Sequence, residues 1–124
     1  YSRVMDIHIY IDSSSYSDID IEEISQDLLA ELSAWLNNKT SISLLDFRPE
    51  ECLEDWKLGF ALRVKSKFKL KEPLNFLYDL AKKYQCEFVV SEYDAKSESS
   101  EAVCYFGFEE GRPDLYEIAN YLGL

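Results

Sequence analysis

Hydrophobic and polar residues alternate along the first element that the sequence predicts, residues 4–12. The apolar parity carries Met5 and three isoleucines. The polar parity carries Asp6, His8, Tyr10 and Asp12. A period of two with β-branched residues predicts a strand that buries one face and leaves the other accessible.

A helical stripe follows the Ser-rich turn at residues 13–17. Asp18 or Asp20 is the expected N-cap, and Glu22 and Glu23 fall in the positive first turn. Apolar residues recur every three or four positions: Ile21, Ile24, Leu28, Leu32, Trp35 and Leu36. This spacing predicts one amphipathic helix, which Asn37-Asn38 ends.

The middle of the chain reads as two strands separated by an acidic loop, at residues 48–55. The first strand is expected at residues 41–47, and a long alternating segment occupies residues 56–71. Its apolar parity holds Trp56, Leu58, Phe60, Leu62, Val64 and Phe68. The other parity holds Lys57, Arg63, Lys65, Lys67, Lys69 and Lys71. We expect this basic row to pair with Asp6 and Asp12 on the first strand.

The last third predicts a helix, a hairpin and a final helix. Pro73 suits the first turn of the second helix, whose inner side carries Leu74, Leu77, Ala81 and Tyr84. Two strands, residues 87–93 and 102–109, are joined by the polar segment 94–101. Pro113 is expected to open the third helix, with Leu115, Ile118, Ala119 and Leu122 inward and Gly123 as its stop. Gly59 and Gly107 lie inside predicted strands, which indicates a bulge or a close backbone approach.

The predicted element order is βαββαββα, within a single α+β domain covering residues 1–124. The first six elements match the split βαβ, ferredoxin-like sandwich. Pairing the fifth strand with the fourth gives an antiparallel sheet of order 5-4-1-3-2, with the helices on one face. Met5 is the sole methionine, so residues 1–4 are interpreted as vector-derived.

The residues that usually carry chemistry are few and scattered. His8 has Asp6 and Tyr10 on the same strand face, but neighbours two residues apart on a strand lie about 7 Å apart, and no nucleophile is evident nearby. The three cysteines show no metal-ligand spacing, which favours reduced, buried thiols in the cytoplasm. The four glycines form no phosphate-binding loop. We therefore expect no enzyme activity, no cofactor and no metal.

Charge is the most informative feature of the composition. The formal net charge is −11, divided as −7 over residues 1–38, +3 over residues 39–71 and −7 over residues 72–124. An acidic chain repels phosphates, which argues against a nucleic-acid partner. No apolar run approaches the ~20 residues of a membrane span. A basic protein partner fits this charge best.

This profile of small size, acidity, α+β fold and missing catalytic residues resembles the immunity proteins of bacterial polymorphic toxins, including those of contact-dependent growth inhibition. The resemblance implies a cytoplasmic protein that neutralises a basic, nuclease-type toxin domain in a 1:1 complex. An ACT-like, ligand-sensing regulatory dimer is the alternative.

The acidic loop and its flanks are the predicted partner-binding surface, ahead of the first helix and the acidic carboxyl-terminal third. The predicted residues are Asp46, Phe47, Glu50, Glu51, Glu54, Asp55 and Trp56. Loops on a rigid scaffold commonly carry binding function. Phe47 and Trp56 are expected either to anchor the loop or to contact the partner. The alternative is a solvated connection without a partner.

Overall fold

Strands and helices follow one another along the chain in the predicted order, βαββαββα. A computed structural model describes residues 4–15 and 18–124. Its strands are β1 (Met5–Ile11), β2 (Ile42–Phe47), β3 (Lys57–Val64), β4 (Glu87–Asp94) and β5 (Ser99–Gly107). Its helices are α1 (Asp18–Leu36), α2 (Lys71–Tyr84) and α3 (Leu115–Leu122), and 3₁₀ turns occur at Ser13–Ser15, Leu53–Asp55 and Lys67–Leu70.

The five strands form one antiparallel sheet of order β2-β3-β1-β4-β5. Read from the other edge, this is the predicted order. β1 lies at the centre, where Ile9 faces Phe60 of β3 on one side and Val90 of β4 on the other. The α+β class with an antiparallel sheet is therefore confirmed.

One face of the sheet holds the core, as the alternation in β1 predicts. Met5, Ile7, Ile9 and Ile11 are buried, and the residues between them are only partly covered. Buried apolar side chains from all three helices join the same core cluster as these four side chains. No described helix or strand covers the opposite face, on which His8 and Tyr10 lie.

The long alternating segment predicted at residues 56–71 is a strand only as far as Val64. β3 ends at Val64, and a 3₁₀ turn at Lys67–Leu70 leads directly into α2. The side-chain period changes at this turn, so Phe68 is 62% exposed and Leu70 takes the buried position. The basic residues therefore form no continuous row, although Arg63 does pair with Asp6 (Nε–Oδ1 3.5 Å).

The β4–β5 hairpin is tighter than predicted. Its turn comprises residues 95–98, and β5 begins at Ser99. Asp94 Oδ1 accepts a hydrogen bond from the Lys96 amide (3.0 Å), and Glu98 adopts a left-handed φ of 54°. A register shift between Val90 and Ser91 interrupts the pairing, with Cys104 opposite Val90 and Ala102 opposite Ser91.

The helix ends follow the expected signals with two corrections. α1 begins at Asp18, so Asp18 and Asp20 both lie inside the helix and neither is its N-cap. The capping position, residue 17, lies outside the described residues, as do residues 16 and 1–3. Pro113 precedes α3, and Asp114 is the N-cap that accepts from the amides of Tyr116 and Glu117. Gly123 ends α3 with φ 77°, as predicted.

A buried carboxylate holds the turn that leads from β5 to α3. Glu87 is 9% exposed, and its oxygens accept hydrogen bonds from the amides of Glu109 and Glu110 (2.9–3.2 Å). Gly107 and Gly111 exchange backbone hydrogen bonds across the same turn. Satisfied backbone donors fix this connection against the start of β4.

α1 and α2 are linked by a polar contact at the rim of the core. Glu31 accepts hydrogen bonds from the Tyr84 hydroxyl and from Lys83 Nζ (3.0 Å). The Tyr84 bond is the main cause that lowers the pKa of Glu31. Desolvation, followed by the same bond, raises the pKa of Tyr84 to about 12.

We predict that Gly59→Ala strongly destabilises the sheet. A Cβ at residue 59 would lie 2.0 Å from the carbonyl oxygen of Ile9, so the two central strands would have to separate. We expect a loss of about 3 kcal/mol in the free energy of unfolding, measured by urea denaturation. Gly111→Ala is the control: a Cβ added at residue 111 would meet no atom within 4 Å, so at φ 92° the substitution should cost only about 1 kcal/mol of backbone strain. Equal losses would contradict the close approach.

We predict that Tyr84→Phe lowers stability at neutral pH by no more than about 1 kcal/mol, because Glu31 loses a hydrogen bond at a solvent-accessible site. The folded pKa of Glu31 lies below its ordinary 4.5. This stabilisation is therefore present above that value and is lost as pH falls through the folded pKa. Urea denaturation from pH 7 to pH 3 should show the variant and the parent converging. Tyr121→Phe removes an exposed bond to Glu117 and should change stability less.

Candidate protein-binding surface

The predicted surface begins on β2, the strand at the edge of the sheet. Phe47 ends this strand opposite Lys57 of β3. Its side chain is 55% exposed, so a large aromatic ring stands at the point where the chain enters the loop. Leu44, on the same strand, is 37% exposed. Both side chains are available for contact with another molecule.

The loop from residue 48 to residue 56 is pinned at both ends. The Arg48 guanidinium binds Asp46 through two hydrogen bonds, Nε–Oδ1 at 2.6 Å and a second nitrogen–Oδ2 contact at 3.1 Å. Trp56 Nε1 donates to the Pro49 carbonyl (3.0 Å). The Arg48 guanidinium carbon also lies 5.8 Å from the centre of the Trp56 ring. These contacts make the loop a folded unit rather than a free connection.

Trp56 supplies the anchor because it is both apolar and able to donate. It directly precedes β3 and is 8% exposed within the core cluster. A buried indole normally needs a partner for its N–H group, and the loop backbone provides that partner. Of the two roles considered for the loop aromatics, Trp56 anchors the loop and Phe47 faces solvent.

Four carboxylates of the loop are directed to the surface. The exposed residues are Glu50, Glu51, Glu54 and Asp55. Among residues 4–15 and 18–124, none of these four forms an ion pair within 4.0 Å. Asp46 differs, because its charge is compensated by Arg48. Four uncompensated negative charges therefore lie beside the exposed Phe47 ring.

The uncovered sheet face holds a polar and aromatic cluster that the sequence pattern did not reveal. The His8 ring stacks on Tyr93 with centroids 4.3 Å apart. Burial, followed by the nearby Lys57 charge, lowers the pKa of His8. Lys57 Nζ donates to Ser100 Oγ (2.9 Å) and lies 5.4 Å from the Tyr10 ring centre.

Ser91 faces His8 across β1 and β4, a juxtaposition that only the strand register creates. Its buried hydroxyl is hydrogen-bonded to the Tyr10 hydroxyl (2.9 Å). His8 Nδ1 is itself buried and has no hydrogen-bond partner among the described residues. The pair therefore lacks the serine–histidine hydrogen bond that activates a nucleophile.

No family model, no curated protein and no solved structure matches the chain. Within the described ranges, no three His, Cys, Asp or Glu side chains come together as a potential metal site. None of the helices in that part of the chain combines the length and apolarity needed to cross a membrane.

We predict that Trp56→Phe loosens the loop. The variant keeps an aromatic ring but loses the hydrogen bond to Pro49, at a cost of about 1 kcal/mol. Hydrogen exchange at the amides of residues 50–55 should accelerate more than exchange in β1. Trp35→Phe is the matched control, because Trp35 stacks on Phe60 of β3 and Phe76 of α2 and not on a loop residue. Uniform acceleration in the Trp56 variant would contradict the anchoring role.

Proposed function

We propose that this chain is an immunity-type protein, which binds a basic toxin domain in the cytoplasm and neutralises it in a 1:1 complex. The observation that carries the proposal is the pinned loop with four uncompensated surface carboxylates beside an exposed phenylalanine. An aromatic anchor surrounded by complementary charge is a common arrangement at protein interfaces.

The physical advantage of this loop is that little order has to be gained on binding. Trp56 and Arg48 already fix its backbone, which lowers the entropic cost of complex formation. Its unpaired carboxylates would attract a basic surface over several ångströms before contact. Phe47 would then supply apolar contact area at short range.

We further infer that the scaffold belongs to the ferredoxin-like class. β1 to β4 lie in the order 2-3-1-4, and α1 and α2 contribute to the core on one face of the sheet. β5 and α3 extend this unit at the β4 edge. In this arrangement the β2–β3 connection lies at a corner of the sheet, where a rigid platform can present a loop.

The first experiment concerns the partner. The gene directly upstream of this one is cloned, and its carboxyl-terminal domain is expressed with and without this chain. An immunity function predicts growth arrest by that domain and rescue by co-expression, with a 1:1 complex in size-exclusion chromatography coupled to light scattering. Growth arrest without rescue would refute the proposal. A chain that instead dimerises and binds a small ligand would support the regulatory alternative.

We predict that reversing the loop charges abolishes rescue. Replacing Glu50, Glu51, Glu54 and Asp55 by lysine raises the net charge of the chain by eight units. The loop then repels a basic partner instead of attracting it. We expect a loss of about 3 kcal/mol, roughly a hundredfold or more in Kd. The parent association rate should fall as salt rises, because charge attraction is screened within about 8 Å at 0.15 M.

The matched control reverses four exposed glutamates in or next to β5, at the opposite edge of the sheet. These residues are Glu98, Glu101, Glu109 and Glu110. Both variants change the net charge equally, so only a local interface distinguishes them. Equal loss of affinity would indicate a general charge effect and would remove the loop as the binding surface. Circular dichroism should show that both variants remain folded.

A further inference from the structure

β2 leaves one side of its backbone without a neighbour. It is the terminal strand of the sheet, and β3 is its only strand partner. Among the described residues, no backbone hydrogen bond from outside the sheet reaches residues 42–47. In an antiparallel strand of six residues, about three present both N–H and C=O groups outward. These groups form a short, straight row along the edge.

Most protein edges carry features that prevent another strand from pairing. The usual devices are lysine, proline, a bulge or a covering segment. β2 has the sequence Ile-Ser-Leu-Leu-Asp-Phe, which includes no lysine or proline, and its pairing with β3 has no register shift. Each edge strand carries one acid, Asp46 on β2 and Glu101 on β5, but the β5 edge is better protected, because its pairing with β4 has a register shift and the Gly107–Gly111 bridge occupies its end.

The surroundings of the open edge specify what would pair with it. At its carboxyl end lie Phe47 and the four uncompensated carboxylates of the loop. Leu44, at the middle, offers an exposed apolar side chain. An added strand would therefore meet backbone groups along its length and negative charge at one end. A basic segment with alternating apolar side chains satisfies both requirements.

We propose that the outer edge of β2 receives an extended, basic segment of the partner protein as a sixth strand, an inference that rests on the function proposed above. Backbone hydrogen bonds supply affinity along the edge. Leu44 contacts the apolar side chains of the segment on one face of the sheet. On the other face Phe47 packs against the aliphatic stems of its basic side chains, whose charges the acidic loop binds. A second copy of this chain is a poorer occupant, because two chains of net charge −11 repel each other.

The probe is the acetylated, amidated heptapeptide Lys-Val-Lys-Val-Lys-Val-Lys, titrated into the ¹⁵N-labelled full chain. Strand addition predicts amide shift changes centred on residues 42–47, and slower hydrogen exchange at alternate residues of β2. Two control peptides separate the contributions. One carries N-methyl groups on two adjacent central residues, which blocks both edges of the peptide, and the other replaces every lysine by glutamate.

The expected result is that the N-methylated peptide binds at least roughly tenfold more weakly than the parent, because its backbone no longer pairs. The glutamate peptide should not bind. Equal affinity of the N-methylated and parent peptides overturns strand addition but leaves the proposed function intact, since the loop would then bind positive charge alone. Binding of the glutamate peptide would count against the basic partner itself.

Two protein variants give an independent test of the location. Leu44→Lys adds an edge-protecting charge to β2 and should weaken binding of the parent peptide at least roughly tenfold. Tyr105→Lys places the same charge on β5, where Tyr105 is 52% exposed, and should leave the affinity unchanged. Equal effects of the two variants overturn the assignment. A dimer that forms without peptide in sedimentation equilibrium, with its β2 amides protected from exchange, also overturns the assignment. The edge would then be occupied by a second copy of the chain.

Discussion

Phe60 of β3 connects the sheet to both long helices through one aromatic cluster. Its ring centre lies 5.1 Å from that of Trp35 on α1 and 6.0 Å from that of Phe76 on α2, and the two helix rings are 4.8 Å apart. Opposite Phe60, Ile9 of the central strand is fully buried. These side chains collect the apolar surface on one face of the sheet, while β2 remains at its outer edge.

The alternation of apolar residues was sufficient to predict the strands that bury one face. It worked for β1, whose four apolar side chains all reach the core, whereas the order of the sheet followed from matching the element order to the split βαβ arrangement. It failed after Val64, because alternation in a sequence continues across a turn even when the backbone changes period. Phe68 shares the parity of Phe60 and yet lies at the surface.

The loop could be identified from its charge, but the state of each side chain could not. Asp46 resembles the other acids in the sequence, and only the structure reveals that Arg48 compensates it. Trp56 and Phe47 flank the loop with similar apolar character, and their separate roles depend on which side of the strand end each ring occupies. Local periodicity encodes neither the Asp46–Arg48 ion pair nor the different roles of Trp56 and Phe47. The Ser91–His8 juxtaposition likewise required the register between β1 and β4.

The open backbone edge of β2 and the carboxylates beside it together restrict which strands can pair with it. An open, apolar edge is an aggregation hazard unless something limits which strands can pair with it. Here the adjacent carboxylates provide that limit, because they repel another copy of this acidic chain and most cellular proteins of similar charge. A basic segment experiences the opposite force. In the binding mode proposed above, the negative charge next to β2 lets an unprotected edge favour one class of partner.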